Sequence, residues 1–190
     1  MIKVNENSLM DNMALAKGDI FLTKGTSLIS RLVRVFSTTG GESRAQVNHS
    51  GIVVDGADGD PVIVEALTHV QQHTMLSQYN DDSTLIAAFR PIGLSDQEID
   101  KVITKAKSYV GDEYGYFKIL AHLGDWCLGG RYFFRRFASM DKYPICSWLV
   151  AESFAEINHN FGCPPGMAEP DDIWEYCRAH PELYEQIWPL

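Results

Sequence analysis

No stretch of this 190-residue chain approaches the ~20 consecutive apolar residues that a membrane-crossing helix requires. Residues 1–16 carry Lys3, Glu6 and Asp11 and no continuous apolar centre, so neither a signal peptide nor a membrane anchor is expected there. Basic residues are the minority: 16 Lys and Arg stand against 25 Asp and Glu, a formal net charge of −9. That balance argues against general nucleic-acid binding, because affinity for phosphate comes from clustered cations. Cysteine is scarce as well. Cys127, Cys146, Cys163 and Cys177 form no Cys-x-x-Cys pair and no framework spacing, so with no export signal reduced thiols in a cytoplasmic setting are expected. Repeats, low-complexity tracts and long linkers are also missing. One domain is therefore expected, with residues 1–16 as an N-terminal extension and a core over about 17–178.

What is present reads as strands first and helices later. Residues 18–23 form a first strand opened by a glycine turn, and residues 26–36 a helix with Leu28, Ile29, Leu32, Val33 and Phe36 on one face. The polar loop at 37–45 either borders a substrate cleft or is a solvated connection. Residues 47–55 and 62–67 are β-rich runs separated by Gly56-Ala57-Asp58-Gly59-Asp60-Pro61, a hairpin signal. A short strand follows at 85–90. Ser95-Asp96-Gln97-Glu98 is a capping box opening a helix that stops near Gly111. Residues 114–138 look helical, broken at Gly129-Gly130, and an amphipathic helix follows from Cys146, with Leu149, Val150, Phe154 and Ile157 near a helical period. A short final helix begins at Pro170. The predicted class is α+β, an antiparallel sheet packed against helices.

Two stretches far apart in the chain carry the candidate chemistry. Pro144-Ile145-Cys146-Ser147-Trp148-Leu149-Val150 puts a cysteine where a loop becomes a helix, among unsatisfied backbone N–H groups at the positive end of the helix dipole. That setting favours the thiolate. Asn48-His49-Ser50-Gly51-Ile52-Val53 supplies a histidine on a strand. A hairpin turning near Ala57 would lay Glu65 beside His49 on the same face. Glu65 sits in the apolar run Val62-Ile63-Val64-Glu65-Ala66-Leu67, where an unpaired charge is costly, so it needs a partner. His49 is the economical one, with Arg90 as the alternative. The three side chains follow the logic of a Cys–His–carboxylate triad. Loss of His49 should cost turnover heavily, and Glu65→Gln less.

These residues, with Gly18-Asp19-Ile20, Val64-Glu65-Ala66, Gly111 with Tyr114, and Pro170-Asp171-Asp172-Ile173, occur in an order that resembles the permuted papain-like amidases of the YiiX/YaeF type. That group lies in the NlpC-like superfamily and is related to lecithin retinol acyltransferase. The resemblance implies a permuted papain-like fold, Cys146 as nucleophile, His49 as general base and Glu65 as the orienting acid, with no cofactor and no metal. It implies hydrolysis or acyl transfer at an amide, ester or thioester carbonyl of a small-molecule, peptide-like or lipid-like substrate. For the oxyanion, the backbone N–H of Cys146 is a natural donor, and Tyr114 or Tyr116 fits the family position for a second. Here the sequence reads Tyr114-Gly115-Tyr116 where an acidic residue often follows the first tyrosine.

Two other readings stand beside it. Glu65, His69 and His73, spaced by four, could ligate a metal in a metal-dependent hydrolase. A non-catalytic papain-like binding module could instead use the aromatic, basic stretch 131–137 against an anionic lipid, a nucleic-acid strand or an acidic partner. Phe117, Ile119, Leu120, Trp126 and Leu128 could line an acyl pocket or fill the core.

Overall fold

Ile20, Phe21, Leu22 and Thr23 offer large side chains to both faces of a strand, which suits a strand covered on both sides. The computed structural model describes residues 14–24, 46–56, 59–79, 84–112 and 145–189. In it β1 (Ile20–Thr23) is buried throughout. It joins β2 (His49–Asp55), β3 (Val62–Ala66), β4 (Val70–Thr74), β5 (Leu85–Pro91) and β6 (Tyr184–Trp188) in one sheet, ordered β4-β3-β2-β1-β5-β6. Every neighbouring pair is antiparallel. The helices are a short α1 (Met75–Gln78), α2 (Asp96–Ser108), α3 (Cys146–Ala155) and α4 (Pro170–Ala179). This is the α+β architecture read from the sequence.

Strand alternation divides the core. Ile20, Leu22, Ile52, Val54, Val64 and Phe89 face the helices, against Val102 and Ala106 of α2, Leu149, Val150 and Phe154 of α3, and Ile173 of α4. Phe21, Val53, Ile63 and Ala88 face the other way and pack with Leu15, Met75, Tyr79 and Leu85. His49, Gly51 and Glu65 belong by the same alternation to this second face. Among the described residues no helix is long and apolar enough to cross a membrane.

Local signals explain several boundaries. Ser95 and Glu98 close a reciprocal capping box at the start of α2. Gly111 adopts φ +98°, a conformation that favours glycine, and its N–H reaches Val70 O at 2.9 Å, tying the end of α2 to β4. Asp19, wholly buried before β1, takes a bidentate pair from Arg90 (Nε 2.9 Å, Nη2 2.8 Å) and the Ala16 N–H. Arg90 is thus committed to Asp19, and the alternative pairing of Arg90 with Glu65 is not formed. Asp171 at the start of α4 accepts from the backbone N–H groups of Gln46 and Val47, which lead into β2.

Four expectations are corrected. Glu65 pairs across the ladder with Gly51, not His49, because the hairpin closes at Asp55↔Val62 with an irregularity after Val53. That slip of two residues keeps Glu65 on the face of His49, since side chains alternate with period two. The α3 helix is not amphipathic: Cys146, Ser147, Leu149, Val150, Ala151, Ser153 and Phe154 are all buried. Its hydroxyls are satisfied inside, Ser147 Oγ donating to Ala168 O at 2.6 Å and Ser153 Oγ to Leu149 O at 2.7 Å. Finally, β4 and β6 are strands that periodicity had not marked, and β6 carries the sheet past residue 178. The helices expected at 26–36 and 114–138, the loop at 37–45, the stretch 131–137, Cys127, Pro144 and the tyrosines Tyr114 and Tyr116 lie outside the described residues.

Gly51 is where the two faces press hardest on the backbone. A Cβ there would lie 2.4 Å from Phe21 Cζ and 3.0 Å from the Val64 carbonyl. Phe21 in turn stacks edge-on against Tyr79 and tilts over His49. Gly51→Ala should therefore destabilise by ~1–3 kcal/mol through overpacking, read as a shift in the midpoint of chemical unfolding. An unchanged midpoint would show that Phe21 has room to move.

Candidate active site

Ile145, in extended backbone before α3, offers no side-chain acceptor to the first turn of the helix. The orphaned N–H groups there need another partner. The Cys146 sulfur supplies one: it accepts from the backbone N–H of Ser147, within the helix, and of Ser50, on β2. The sequence therefore places the thiol at the amide-rich end of the helix, and the packing of α3 on the sheet adds a donor from a strand. Cys146 is buried, 4% exposed.

His49 opens β2 opposite Thr23, the last residue of β1. Its Nε2 bonds Glu65 Oε2, and its ring also hydrogen-bonds Cys146. With Nε2 engaged by the carboxylate, Nδ1 is the nitrogen left to exchange a proton with sulfur. The structure thus brings Cys146, His49 and Glu65 together in that sequence.

The charges reinforce one another. Burial opposes a charge on His49, but the Cys146 sulfur and the Glu65 carboxylate outweigh it and raise its pKa to about 10. Burial likewise pushes the Cys146 thiol up, while the His49 charge, its hydrogen bond and the two backbone N–H groups reverse that and lower it. Glu65, with no exposed surface, would also be driven up by burial. His49, His73 and Tyr79 hold it down at about 2. By contrast, burial raises Cys163 to about 11 and pushes Cys177 higher still. Among the described cysteines, all free thiols, only Cys146 is shifted toward thiolate.

Two groups around Glu65 were not recognised as site residues in the sequence. Tyr79, just after α1, donates to Glu65 Oε2 at 2.5 Å, and the Thr23 hydroxyl hydrogen-bonds Tyr79. His73 on β4 meets Glu65 Oε1 through Nε2 at 2.6 Å. The usable signal was the carboxylate's own demand: a buried Glu has about four acceptor sites, and one histidine cannot fill them. In the sequence, His73 stands out only as a potential metal ligand, by its spacing from Glu65 and His69. His69 does not join it, for it lies exposed in the turn after β3 with Nδ1 near Thr68 Oγ1. The set Glu65, His69 and His73 is not assembled, and among the described residues no group of three His, Cys, Asp or Glu side chains is arranged to hold a metal ion.

A six-stranded antiparallel sheet, a buried helix opening on a cysteine and a histidine on the facing strand together define a permuted papain-like fold. The crystal structure of the metalloprotein YiiX from Escherichia coli O157:H7 has this fold: it superposes with a TM-score of 0.55, at 21% identity, over 79% of this chain and 71% of that one. The likeness anticipated from scattered motifs is thus present in three dimensions. No family model matches the sequence, and no curated protein does.

Proposed function

We propose that this chain is a cysteine-dependent hydrolase or acyltransferase acting on an amide, ester or thioester carbonyl. Cys146 is the nucleophile, His49 the general acid and base, and Glu65 the group that orients His49. The observation that supports it is the single imidazole bonded on one side to a buried carboxylate and on the other to a sulfur whose pKa is lowered. Such an ion pair is costly to bury without a use for it.

In the proposed reaction Cys146 Sγ attacks the carbonyl carbon, and the oxyanion forms beside the backbone N–H of Cys146, with Tyr114 or Tyr116 as the second donor carried by the family resemblance. The His49 imidazolium protonates the departing amine, alcohol or thiol as the C–N, C–O or C–S bond breaks. His49, now neutral, takes a proton from water or from an acceptor nucleophile, which attacks the acyl-enzyme and frees the sulfur. The substrate is a small molecule or a peptide-like or lipid-like acyl compound, and no cofactor takes part. The free thiols of Cys146, Cys163 and Cys177 fit a reducing, cytoplasmic setting.

Alkylation by iodoacetamide, followed by mass spectrometry of the peptide holding Cys146, tests the reading. Reaction at Cys146 should set in well below the ~8.5 of a free thiol and continue above pH 10, whereas turnover should fall as His49 loses its proton near pH 10. A Cys146 profile like that of an ordinary thiol would remove the ion pair and the reading with it.

A further inference from the structure

Among the described residues, the hydrogen-bond partners of the Glu65 carboxylate are donors. His49 Nε2 and Tyr79 Oη (2.5 Å) meet Oε2, and His73 Nε2 (2.6 Å) meets Oε1, while the carboxylate itself has no exposed surface. These three side chains come from β2, the segment after α1 and β4, so the carboxylate is gripped from separate elements. Both oxygens are fixed, and with them the plane of the carboxylate. A carboxylate free to swing could offer His49 either oxygen at a range of angles.

We infer that His73 and Tyr79 are positioning residues: by donating to both oxygens of Glu65, they hold the carboxylate ionised and aligned so that it keeps His49 oriented and protonated toward Cys146. This rests on the Cys146–His49 reading above and extends it to two residues that act through Glu65.

The chemistry of the two donors differs usefully. Tyr79, raised by burial and by Glu65, has no ionised state near neutrality, and its hydroxyl receives the Thr23 bond as it gives one to Glu65. It is a permanent donor. His73 presents Nε2–H to Glu65 whether the ring is neutral or charged, and its side chain is 18% exposed against none for Glu65. Each donor lowers the proton affinity of a carboxylate that burial would otherwise raise. Without one, Glu65 takes up a proton at a higher pH. His49 then loses its counter-charge, and Cys146 loses its imidazolium. The acid limb of thiolate reactivity should move upward.

The experiment is the pH profile of Cys146 alkylation in full-length wild type, Tyr79→Phe, His73→Gln and His73→Leu, with a melting temperature for each. Tyr79→Phe keeps the ring that packs on Phe21, so it removes the donor to Glu65 and the acceptor of the Thr23 hydroxyl while leaving the packing in place. Its acid limb should rise by about one to two pH units, the usual worth of a charge-assisted hydrogen bond. His73→Leu should do the same, and His73→Gln, whose amide can still donate, should restore most of the wild-type limb. Purely structural roles would lower melting temperatures and leave the limb in place, which would overturn the inference. So would a limb that moves equally in His73→Gln and His73→Leu. If His73→Leu does not fold, Tyr79→Phe decides alone. A wild-type profile that already resembles a free thiol points instead to failure of the catalytic reading, so the two failures are told apart.

Discussion

Cys146→Ala should reduce turnover of any true substrate by ~10⁴-fold or more, the scale on which loss of a nucleophile acts when its partners depend on it. The methyl group cannot attack a carbonyl, and it cannot accept the N–H groups of Ser50 and Ser147 that converge on the sulfur. It also strips His49 of the neighbour that most raises its pKa. The fold should survive, because alanine fits the space and suits a helix. Exposure of wild type and variant to a panel of amides, esters and thioesters, with intact-mass measurement, checks this. Wild type should trap an acyl group on Cys146 and the variant none. A variant turning over a verified substrate at the wild-type rate would remove Cys146 from the chemistry.

Glu65→Gln should be far more severe than the sequence suggested. An orienting residue with one partner would be mildly missed, but Glu65 accepts from His49, Tyr79 and His73. An amide turns one acceptor into an NH₂ donor facing donors, and leaves the His49 charge buried without its counter-charge. Broken buried pairs cost ~3–5 kcal/mol, so a fall in melting temperature of roughly 6–20 °C is expected for a chain of this size.

The pH dependence carries a second signature. Because folding lowers the Glu65 pKa from 4.5 to about 2, its stabilisation is present above pH 4.5 and lost as the pH falls toward 2. His49, raised from 6.5 to about 10, contributes fully below pH 6.5 and loses its contribution as pH rises through about 10. Glu65→Gln should abolish the acid component and bring the alkaline one to lower pH. Melting curves between pH 2 and 11 read both; an acid limb as steep as in wild type would mean that Glu65 is not the group lost there.

Much of this was readable from local pattern. The hairpin announced itself through the Gly-Asp turn between two β-branched runs, and α2 through the Ser95–Glu98 box, because turns and caps are decided by neighbours in the chain. Glu65 stood out as a charge in an apolar strand. β4 and β6 did not stand out, since Val-Gln-Gln-His-Thr and Tyr-Glu-Gln-Ile-Trp are edge strands with polar residues and weak alternation. The α3 helix reads as amphipathic because Leu149, Val150, Phe154 and Ile157 recur near a helical period, yet Ser147 and Ser153 are buried too and spend their hydroxyls on internal carbonyls.

The order of residues alone determined which side chains had reason to meet: a thiol at a helix start, an imidazole on a strand, and a carboxylate that could not stay unpaired. Only the folded chain decided the ladder register that sets Glu65 diagonal to His49, the Ser50 N–H that reaches the sulfur, and the enlistment of Tyr79 and His73. The physical reason is range. Caps, turns and alternation are settled within a few residues, whereas a buried carboxylate is satisfied by whichever donors the sheet happens to carry past it.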